Sequence, residues 1–465
     1  MIKGLIALIA LLTGMVVHAQ DIEGKWAGTL EVGASKLRVV FNISKSATGY
    51  TSTMDSPDQG VNGIPVTKTI FENSTLTLSI TNAGIEYSGE LKGKEITGEF
   101  KQAVRTFPLT LNQDSEEPKR NTRPQEPIPP YPYHTEEVVF ENKKAGIRLT
   151  GTLSLPNKEG NFPAVILISG SGPQNRDEEI LGHKPFLVLA DYLTKKGIAV
   201  LRYDDRGVGA STGDFKTATT FDFADDAAAA LAYLQTRKEI NQKKLGLLGH
   251  SEGGIIAPLL ASRSKDVDFV IMLAGTALRG DRLLLLQQEL IAKAMGVPET
   301  EIATSKEVNS SLFAILLNNE KEELAKEKAR TYLKDFMSKN ASLQKPAGMS
   351  DEAFINTQLA QLFNPWMLNF LKYDPAPALK KVKCPVLALN GDKDLQVPAD
   401  ANLAVIEQQL KAAGNKKGSI KKYPGLNHLF QEATTGSPSE YGSIEQTIAP
   451  VVLQDIAEWI LSRSF

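Results

Sequence analysis

The sequence predicts two folded parts: a small all-β sandwich or barrel, followed by a larger α/β domain built on a mostly parallel sheet. In residues 20–113, apolar and polar residues alternate in short runs without helical spacing. Across residues 136–465, short apolar runs typical of buried strands alternate with amphipathic helical stretches. Residues 114–135 are rich in proline and charge, which predicts a linker stiffened by polyproline geometry.

Residues 1–19 have the features of a secretory signal peptide. Lys3 precedes an apolar run over residues 5–17, and the small residues of Val17-His18-Ala19 are typical of a cleavage site. The apolar run is shorter than the roughly 20 residues of a membrane-spanning helix. We therefore expect cleavage after Ala19 and an exported protein, periplasmic or secreted, without a membrane span.

The composition argues against several kinds of partner and cofactor. The net charge is −2 and no block of Lys and Arg occurs, so a nucleic-acid partner is not expected. Cys384 is the only cysteine, which excludes an internal disulfide and, with only five His, argues against a zinc site. We expect no cofactor, no metal and a small-molecule ligand.

In the predicted all-β domain, alternation is clearest over residues 37–43 and 75–80. Shorter runs of the same kind are 85–87, 95–100 and 107–111. Trp26 and Phe100 are expected to pack in the core of this domain, although they could instead line a ligand cavity. In that alternative, the protein is chiefly a binding protein.

The predicted strands of the α/β domain are 137–140, 148–155, 164–169, 198–203, 245–248, 269–274, 386–390 and 419–423. Residues 279–380 interrupt the alternation, because their pattern is helical over 283–295, 308–317, 321–337 and 351–363. An insertion between two strands is predicted to form a helical cap over the strand ends, where such sheets bind ligands. The cap residues that either line a substrate pocket or pack its helices together are Leu312, Phe313, Phe363, Trp366, Met367 and Phe370.

The pentapeptide Gly249-His250-Ser251-Glu252-Gly253 follows an apolar run and precedes a helical pattern. A serine on a sharp strand-to-helix turn has its hydroxyl lifted clear of the sheet, and side chains at the flanking glycines would collide with neighbouring backbone. Ser251 is therefore the candidate nucleophile. A purely structural turn is the alternative, so the partners of Ser251 decide between the two.

A serine nucleophile needs a base, and the base needs an orienting group. His428 follows the last predicted strand and is the preferred base; His183 lies before a helix, and His250 is expected to point away from the site. Two carboxylates follow the strand 386–390. Asp394 is preferred as the orienting acid, because Asp392 directly follows Gly391 and is expected to bind its own turn.

Five segments resemble the α/β-hydrolase superfamily, in particular an exported esterase-like branch related to dienelactone hydrolases and to S33 serine aminopeptidases. They are residues 169–177, 202–209, 249–254, 391–398 and 425–428. The resemblance implies an α/β-hydrolase fold over residues 136–465 and a triad of Ser251, Asp394 and His428. It also implies ester hydrolysis through an acyl-enzyme intermediate, with a peptidase of the aminopeptidase type as the alternative.

A glycine-rich loop begins at Ser169, at the end of the predicted strand 164–169. The backbone N–H groups of Ser171, on this loop, and of Glu252 are the candidate oxyanion donors, with Gly170 as the alternative on the loop. The carboxylate of Glu252 either lies at the helix N-terminus or recognises a substrate amine. Asp205 and Arg206 are predicted to form a structural ion pair beneath this loop.

Overall fold

The computed structural model describes residues 21–32, 35–46, 49–57, 61–102, 105–113, 122–319, 321–340 and 349–462. The predicted signal peptide, its cleavage site and residues 114–121 of the predicted linker lie outside these ranges. The N-terminal strands cluster into one compact unit, and the chain beyond residue 121 belongs to a second. Within the described residues, no helix combines the length and apolar character that crossing a membrane requires.

The described part of the first unit forms one antiparallel sheet, which confirms the predicted all-β domain. Its nine strands are β1 (Gly24–Val32), β2 (Ser35–Ser46), β3 (Gly49–Ser56), β4 (Val61–Pro65), β5 (Lys68–Glu72), β6 (Thr75–Ile80), β7 (Ile85–Lys92), β8 (Glu95–Gln102) and β9 (Arg105–Gln113). Their order is β4-β3-β2-β1-β9-β8-β7-β6-β5, so the first strand pairs with the last. Other sequential neighbours lie side by side, except β4 and β5, which are the two edge strands.

The core of this unit comes from the alternating apolar residues. Strand β7 shows a strict alternation of buried and exposed side chains, which a sheet with one covered face requires. Trp26 is fully buried and donates its indole N–H to the carbonyl of Ile22 at 2.8 Å, and Phe100 is also buried. Both residues therefore pack in the core.

The described residues of the second unit form an eight-stranded sheet with eleven α-helices. The strands are β10 (His134–Asn142), β11 (Ile147–Leu155), β12 (Phe162–Ile168), β13 (Ala199–Tyr203), β14 (Ile240–His250), β15 (Phe269–Leu273), β16 (Val386–Gly391) and β17 (Gly418–Tyr423). The helices are α1 (Pro185–Lys195), α2 (Thr220–Gln235), α3 (Gly253–Ala261), α4 (Gly280–Ala294), α5 (Glu299–Leu317), α6 (Glu322–Lys339), α7 (Asp351–Leu362), α8 (Pro365–Lys372), α9 (Ala376–Leu379), α10 (Ala399–Ala412) and α11 (Pro450–Leu461).

The strand order is β10-β11-β13-β12-β14-β15-β16-β17. The hairpin β10–β11 and the pair β11–β13 are antiparallel, and the remaining neighbours are parallel. Side chains of α2, α3 and α10 bury one face of the sheet, and those of α1 and α11 bury the other. Because both faces are covered, the central strands are almost wholly apolar, as the sequence pattern predicted.

Helices α4 to α9 are inserted between β15 and β16, as predicted for the cap. The cap has a small core of its own, to which α5, α6 and α7 contribute apolar side chains. Leu312, Phe313 and Phe363 are buried in that core and therefore pack the cap. Trp366 and Phe370 of α8 stack at 4.9 Å between ring centroids and pack beside Ile255 of α3. The residues of α8 thus connect the cap to the sheet layer.

Residues 122–133 of the predicted linker are bonded to the second unit. The guanidinium of Arg123 donates to the carbonyls of Ile444 at 2.7 Å and Gly442 at 2.8 Å. The side-chain amide of Gln125 donates to the carbonyl of Ile448 at 2.7 Å. Backbone acceptors hold the start of this stretch, and at its other end the Tyr133 hydroxyl donates to Asp191 at 3.0 Å, so it is a structural part of the second unit and not a free spacer.

Candidate active site

Ser251 lies on a sharp turn between the central strand β14 and helix α3. Its φ is +52°, a left-handed conformation that a non-glycine residue rarely adopts. A Cβ on Gly249 would lie 1.9 Å from the carbonyl oxygen of Gly253, and one on Gly253 would lie 2.1 Å from that of Ile168. Only glycine fits at both positions, which confirms the reason given for the small residues of this turn.

Asp394 and His428 meet at the ends of neighbouring strands. Oδ2 of Asp394, which follows β16, lies 2.8 Å from Nδ1 of His428, which follows β17. Oδ1 of Asp394 accepts hydrogen bonds from the backbone N–H groups of Gln396 and Val397. Both side chains are at least 96% buried. The carboxylate is thus fixed by the backbone and in turn fixes the imidazole.

The alternatives to these two residues have other contacts. Asp392 is exposed and accepts a hydrogen bond from the backbone N–H of Gly425, so it binds the local turn. His183 is fully buried against the Thr447 hydroxyl and the Tyr441 carbonyl. Burial lowers the pKa of His183 to about 4, which keeps its imidazole neutral at neutral pH. His183 therefore has a structural role.

The other two side-chain groups of the candidate site are the Ser251 hydroxyl and Nε2 of His428. Within the described residues, neither the Ser251 hydroxyl nor Nε2 of His428 makes a hydrogen bond. The backbone of His428 lies close to the turn, because its carbonyl is 3.0 Å from Nε2 of His250, the neighbour of Ser251. The imidazole rings of His250 and His428 are 4.8 Å apart. The geometry therefore brings His428 close to the turn of Ser251, with Nε2 available.

The prediction that His250 points away from the site is wrong. Its side chain is buried between the carbonyl of His428 and Glu178, whose Oε1 lies 2.9 Å from Nδ1 of His250. Glu178 also accepts the backbone N–H of Gly170 at 2.6 Å. Neither contact was foreseen. In the sequence, only the positions of the two residues pointed to the site: His250 directly precedes Ser251, and Glu178 directly follows the segment 169–177.

The glycine-rich loop after β12 lies close to Ser251. A Cβ on Gly170 would be 3.2 Å from the Cβ of Ser251. The Gly170 N–H is engaged by Glu178, whereas the N–H groups of Ser171 and Glu252 donate to no other group in the described residues. This difference favours Ser171 over Gly170 as the donor from the loop.

Glu252 directs its carboxylate towards the cap. Its oxygens accept hydrogen bonds from the Thr220 hydroxyl at 2.6 Å and from the indole N–H of Trp366, which lies 2.9 Å from both oxygens. Burial raises the pKa of Glu252. Because its oxygens are already paired, the carboxylate is not aimed at a substrate amine; it links the turn of Ser251 to α8.

The predicted ion pair between Asp205 and Arg206 is wrong, because the two side chains point in different directions. Arg206 pairs with Asp226 of α2 at 2.7 Å. Asp205 instead accepts hydrogen bonds from the Ser169 hydroxyl and the Gln174 N–H, both at 3.0 Å, and burial raises its pKa to about 8. Asp205 therefore holds the two ends of the glycine-rich loop.

A cavity of about 400 Å³ lies between α4 and α5, with apolar walls that include Leu285, Ile291 and Ile302. Neither Ser251, Asp394 nor His428 lines it, so it is a feature of the cap and not of the candidate site. In the described part of the chain, no group of three His, Cys, Asp or Glu side chains is placed to hold a metal ion.

The chain is similar to several known proteins. The chain is 28% identical over 353 residues to the esterase EstD of Thermotoga maritima, covering 74% of this chain and 72% of that protein. It is 25% identical over 237 residues to the bifunctional esterase/perhydrolase DCH of Acinetobacter calcoaceticus, covering 51% and 77% respectively. A solved structure, the hypothetical protein PA2218 of Pseudomonas aeruginosa, is 14% identical with a TM-score of 0.44, covering 75% of this chain and 99% of that one.

A family model described as serine aminopeptidase, S33, matches residues 184–433, which is more than half of the 465 residues. The matched region contains the turn at Ser251, the cap, Asp394 and His428. It also contains the strands β13 to β17, whereas β12, which lies between β13 and β14 in the sheet, precedes it. The chain belongs to the serine aminopeptidase S33 family, within the α/β-hydrolase superfamily.

Proposed function

We propose that this protein is an exported serine hydrolase that cleaves small carboxylic esters through an acyl-enzyme intermediate. The observation that carries the proposal is the contact of 2.8 Å between Asp394 and His428, which leaves Nε2 of His428 available beside the strained Ser251. The relatives named esterases, at 28% and 25% identity, favour an ester as the substrate.

In the first half of the reaction, the Ser251 Oγ attacks the ester carbonyl carbon while Nε2 of His428 takes the hydroxyl proton. Asp394 holds Nδ1–H of His428 and thereby fixes the tautomer in which Nε2 can accept. The carbonyl oxygen becomes an oxyanion, which the N–H groups of Ser171 and Glu252 stabilise. His428 then gives its proton to the departing alcohol, and the acyl group stays on Ser251.

In the second half, water replaces the alcohol. Nε2 of His428 takes a proton from the water as its oxygen attacks the acyl carbon, and the tetrahedral intermediate collapses with loss of the Ser251 oxygen. The proton returns to Ser251 and the carboxylic acid leaves. No cofactor enters the balance, because water supplies both the hydroxyl and the proton of the products.

Cleavage of an amino-terminal amide is the second candidate, since the family model describes serine aminopeptidases. The hydrogen bonds of Glu252 to Thr220 and Trp366 argue against it, because they occupy the carboxylate that the sequence offered for a substrate ammonium. The test is a panel of p-nitrophenyl acyl esters beside aminoacyl anilides, with Ser251→Ala as the control. We expect turnover of the esters; turnover of the anilides alone would establish the aminopeptidase instead.

Export is proposed from residues 1–19 alone. The protein made in a Gram-negative host with its own leader is expected in the periplasm or the medium, with Gln20 as its first residue. Amino-terminal sequencing of the fractionated protein measures this. Retention in the cytoplasm with Met1 intact would show that the leader is not a signal peptide.

A further inference from the structure

A buried chain of hydrogen bonds connects the glycine-rich loop to the loop that carries His428. The N–H of Gly170 donates to Oε1 of Glu178 at 2.6 Å, and the same oxygen lies 2.9 Å from Nδ1 of His250. Nε2 of His250 lies 3.0 Å from the carbonyl oxygen of His428. The chain therefore joins the neighbour of one oxyanion donor, the neighbour of the nucleophile and the backbone of the base.

The partners of His250 define its protons. A carbonyl oxygen can only accept, so Nε2 carries a hydrogen, and a carboxylate facing Nδ1 favours a hydrogen there as well. Burial by itself would lower the pKa of His250, but the Glu178 carboxylate and the two hydrogen bonds outweigh it and raise the pKa. The titratable groups that face this imidazole are Glu178, Asp394 and His428. The contact geometry and the raised pKa therefore both favour a protonated imidazole at His250.

This arrangement carries costs that a simple packing contact would avoid. Glu178 is 4% exposed and His250 is 7% exposed, so both polar groups are removed from water. The φ of Glu178 is +50°, a strained value for a residue with a side chain. Its second oxygen, Oε2, is buried and has no hydrogen-bond partner among the described residues. Strain and burial of this kind are concentrated at functional sites.

We propose that Glu178 and His250 form a positioning pair that holds the glycine-rich loop and the His428 loop in register over Ser251. Neither residue touches the reacting atoms. Glu178 holds the N–H of Gly170, which directly precedes Ser171, and His250 holds the carbonyl of His428. The loop with the oxyanion donor and the loop with the base are therefore fixed relative to each other. The inference rests on the proposed function of Ser251, Asp394 and His428.

The test compares Glu178→Ala, Glu178→Gln, His250→Gln and the double variant Glu178→Gln/His250→Gln. Glu179→Gln is the matched control, because Glu179 is the exposed neighbour of Glu178 and loses the same charge. Ester turnover is measured from pH 5 to 9, and fluorophosphonate titration counts the folded active sites to which kcat is normalised. Ser251→Ala is assayed in parallel, since its full activity would refute the proposed function and not the pair alone.

Glu178→Ala removes the acceptor of the Gly170 N–H and should lower kcat by about 10²-fold. KM should change by no more than about threefold, because a displaced oxyanion donor weakens binding of the transition state only. Glu178→Gln should recover part of this loss, since its amide oxygen can still accept the Gly170 N–H. His250→Gln leaves the Glu178 carboxylate uncompensated near His428. The acidic limb of kcat/KM should therefore move to higher pH by on the order of one unit.

The double variant removes the uncompensated charge and should restore the acidic limb to the wild-type pH. Three results would overturn the proposal in a protein whose Ser251→Ala variant is inactive. The first is wild-type kcat in Glu178→Ala. The second is an unmoved limb in His250→Gln. The third is a shift of the acidic limb in the Glu179→Gln control that equals the shift in His250→Gln.

Discussion

Oδ2 of Asp394 lies 2.8 Å from Nδ1 of His428, while Oδ1 of the same carboxylate accepts two backbone N–H groups. The backbone fixes the carboxylate, so the imidazole has a single favourable orientation. This relationship distinguishes Asp394 from Asp392, two residues earlier on the same loop.

Replacement of Asp394 by asparagine should lower kcat by about 10⁴-fold, because the amide can donate to Nδ1 and so favours the wrong tautomer of His428. Asp392→Asn is the matched control, since its oxygen can still accept the Gly425 N–H. Initial rates with a p-nitrophenyl ester measure both. Comparable losses in the two variants would contradict the assignment of Asp394.

Trp366→Phe removes the indole N–H and should lower kcat/KM roughly tenfold. The buried carboxylate of Glu252 then has one hydrogen-bond donor fewer, and the backbone N–H of the same residue is a proposed oxyanion donor. Tyr373→Phe is the control. The Tyr373 hydroxyl, at the end of the same helix, is buried without a hydrogen-bond partner in the described chain, so its loss should leave kcat/KM unchanged. Equal kcat/KM values for the two variants would contradict a role for the Trp366 N–H.

Asp205 should make the second unit less stable as the pH rises. Its pKa is about 8 in the folded protein, because of burial, and about 3.9 in an unfolded chain. Between these values the unfolded chain releases a proton that the folded protein keeps, so the free energy of unfolding falls with rising pH. Asp205→Asn removes this dependence. Its melting temperature relative to wild type should therefore increase from pH 5 to pH 9.

The control for Asp205 is Asp214→Asn, which removes an exposed carboxylate nearby in the sequence. Its melting temperature should differ from that of wild type by a constant amount over the same pH range. A constant difference for Asp205→Asn as well would show that Asp205 is ionised in the folded protein at neutral pH.

The sequence predicted the parts of the site that depend on local pattern. Ser251 could be proposed because an apolar strand, two glycines and a helical pattern define its turn within about ten residues. Asp394 and His428 could be proposed because each follows a strand of a parallel sheet, whose C-terminal ends share one edge. The cap could be located because a long helical pattern interrupts the alternation of strands and helices.

The contacts that the sequence did not predict depend on side-chain direction between distant segments. Glu178 and His250 are 72 residues apart, and nothing in the pattern of either segment shows that their side chains meet. Arg206 pairs with Asp226, which lies on α2, and not with its sequence neighbour Asp205. Proline content predicted a linker at residues 114–135, but Arg123 is bonded to carbonyl acceptors that lie more than 50 residues away in the sequence.

The central claim is that Ser251 is the nucleophile, and covalent labelling tests it most directly. A fluorophosphonate probe should lose fluoride and phosphonylate one serine, which peptide mass spectrometry should place at Ser251. Excess ester substrate should slow the labelling, and the Ser251→Ala protein should not be labelled. Labelling of a different serine, or persistent labelling of Ser251→Ala, would contradict the account.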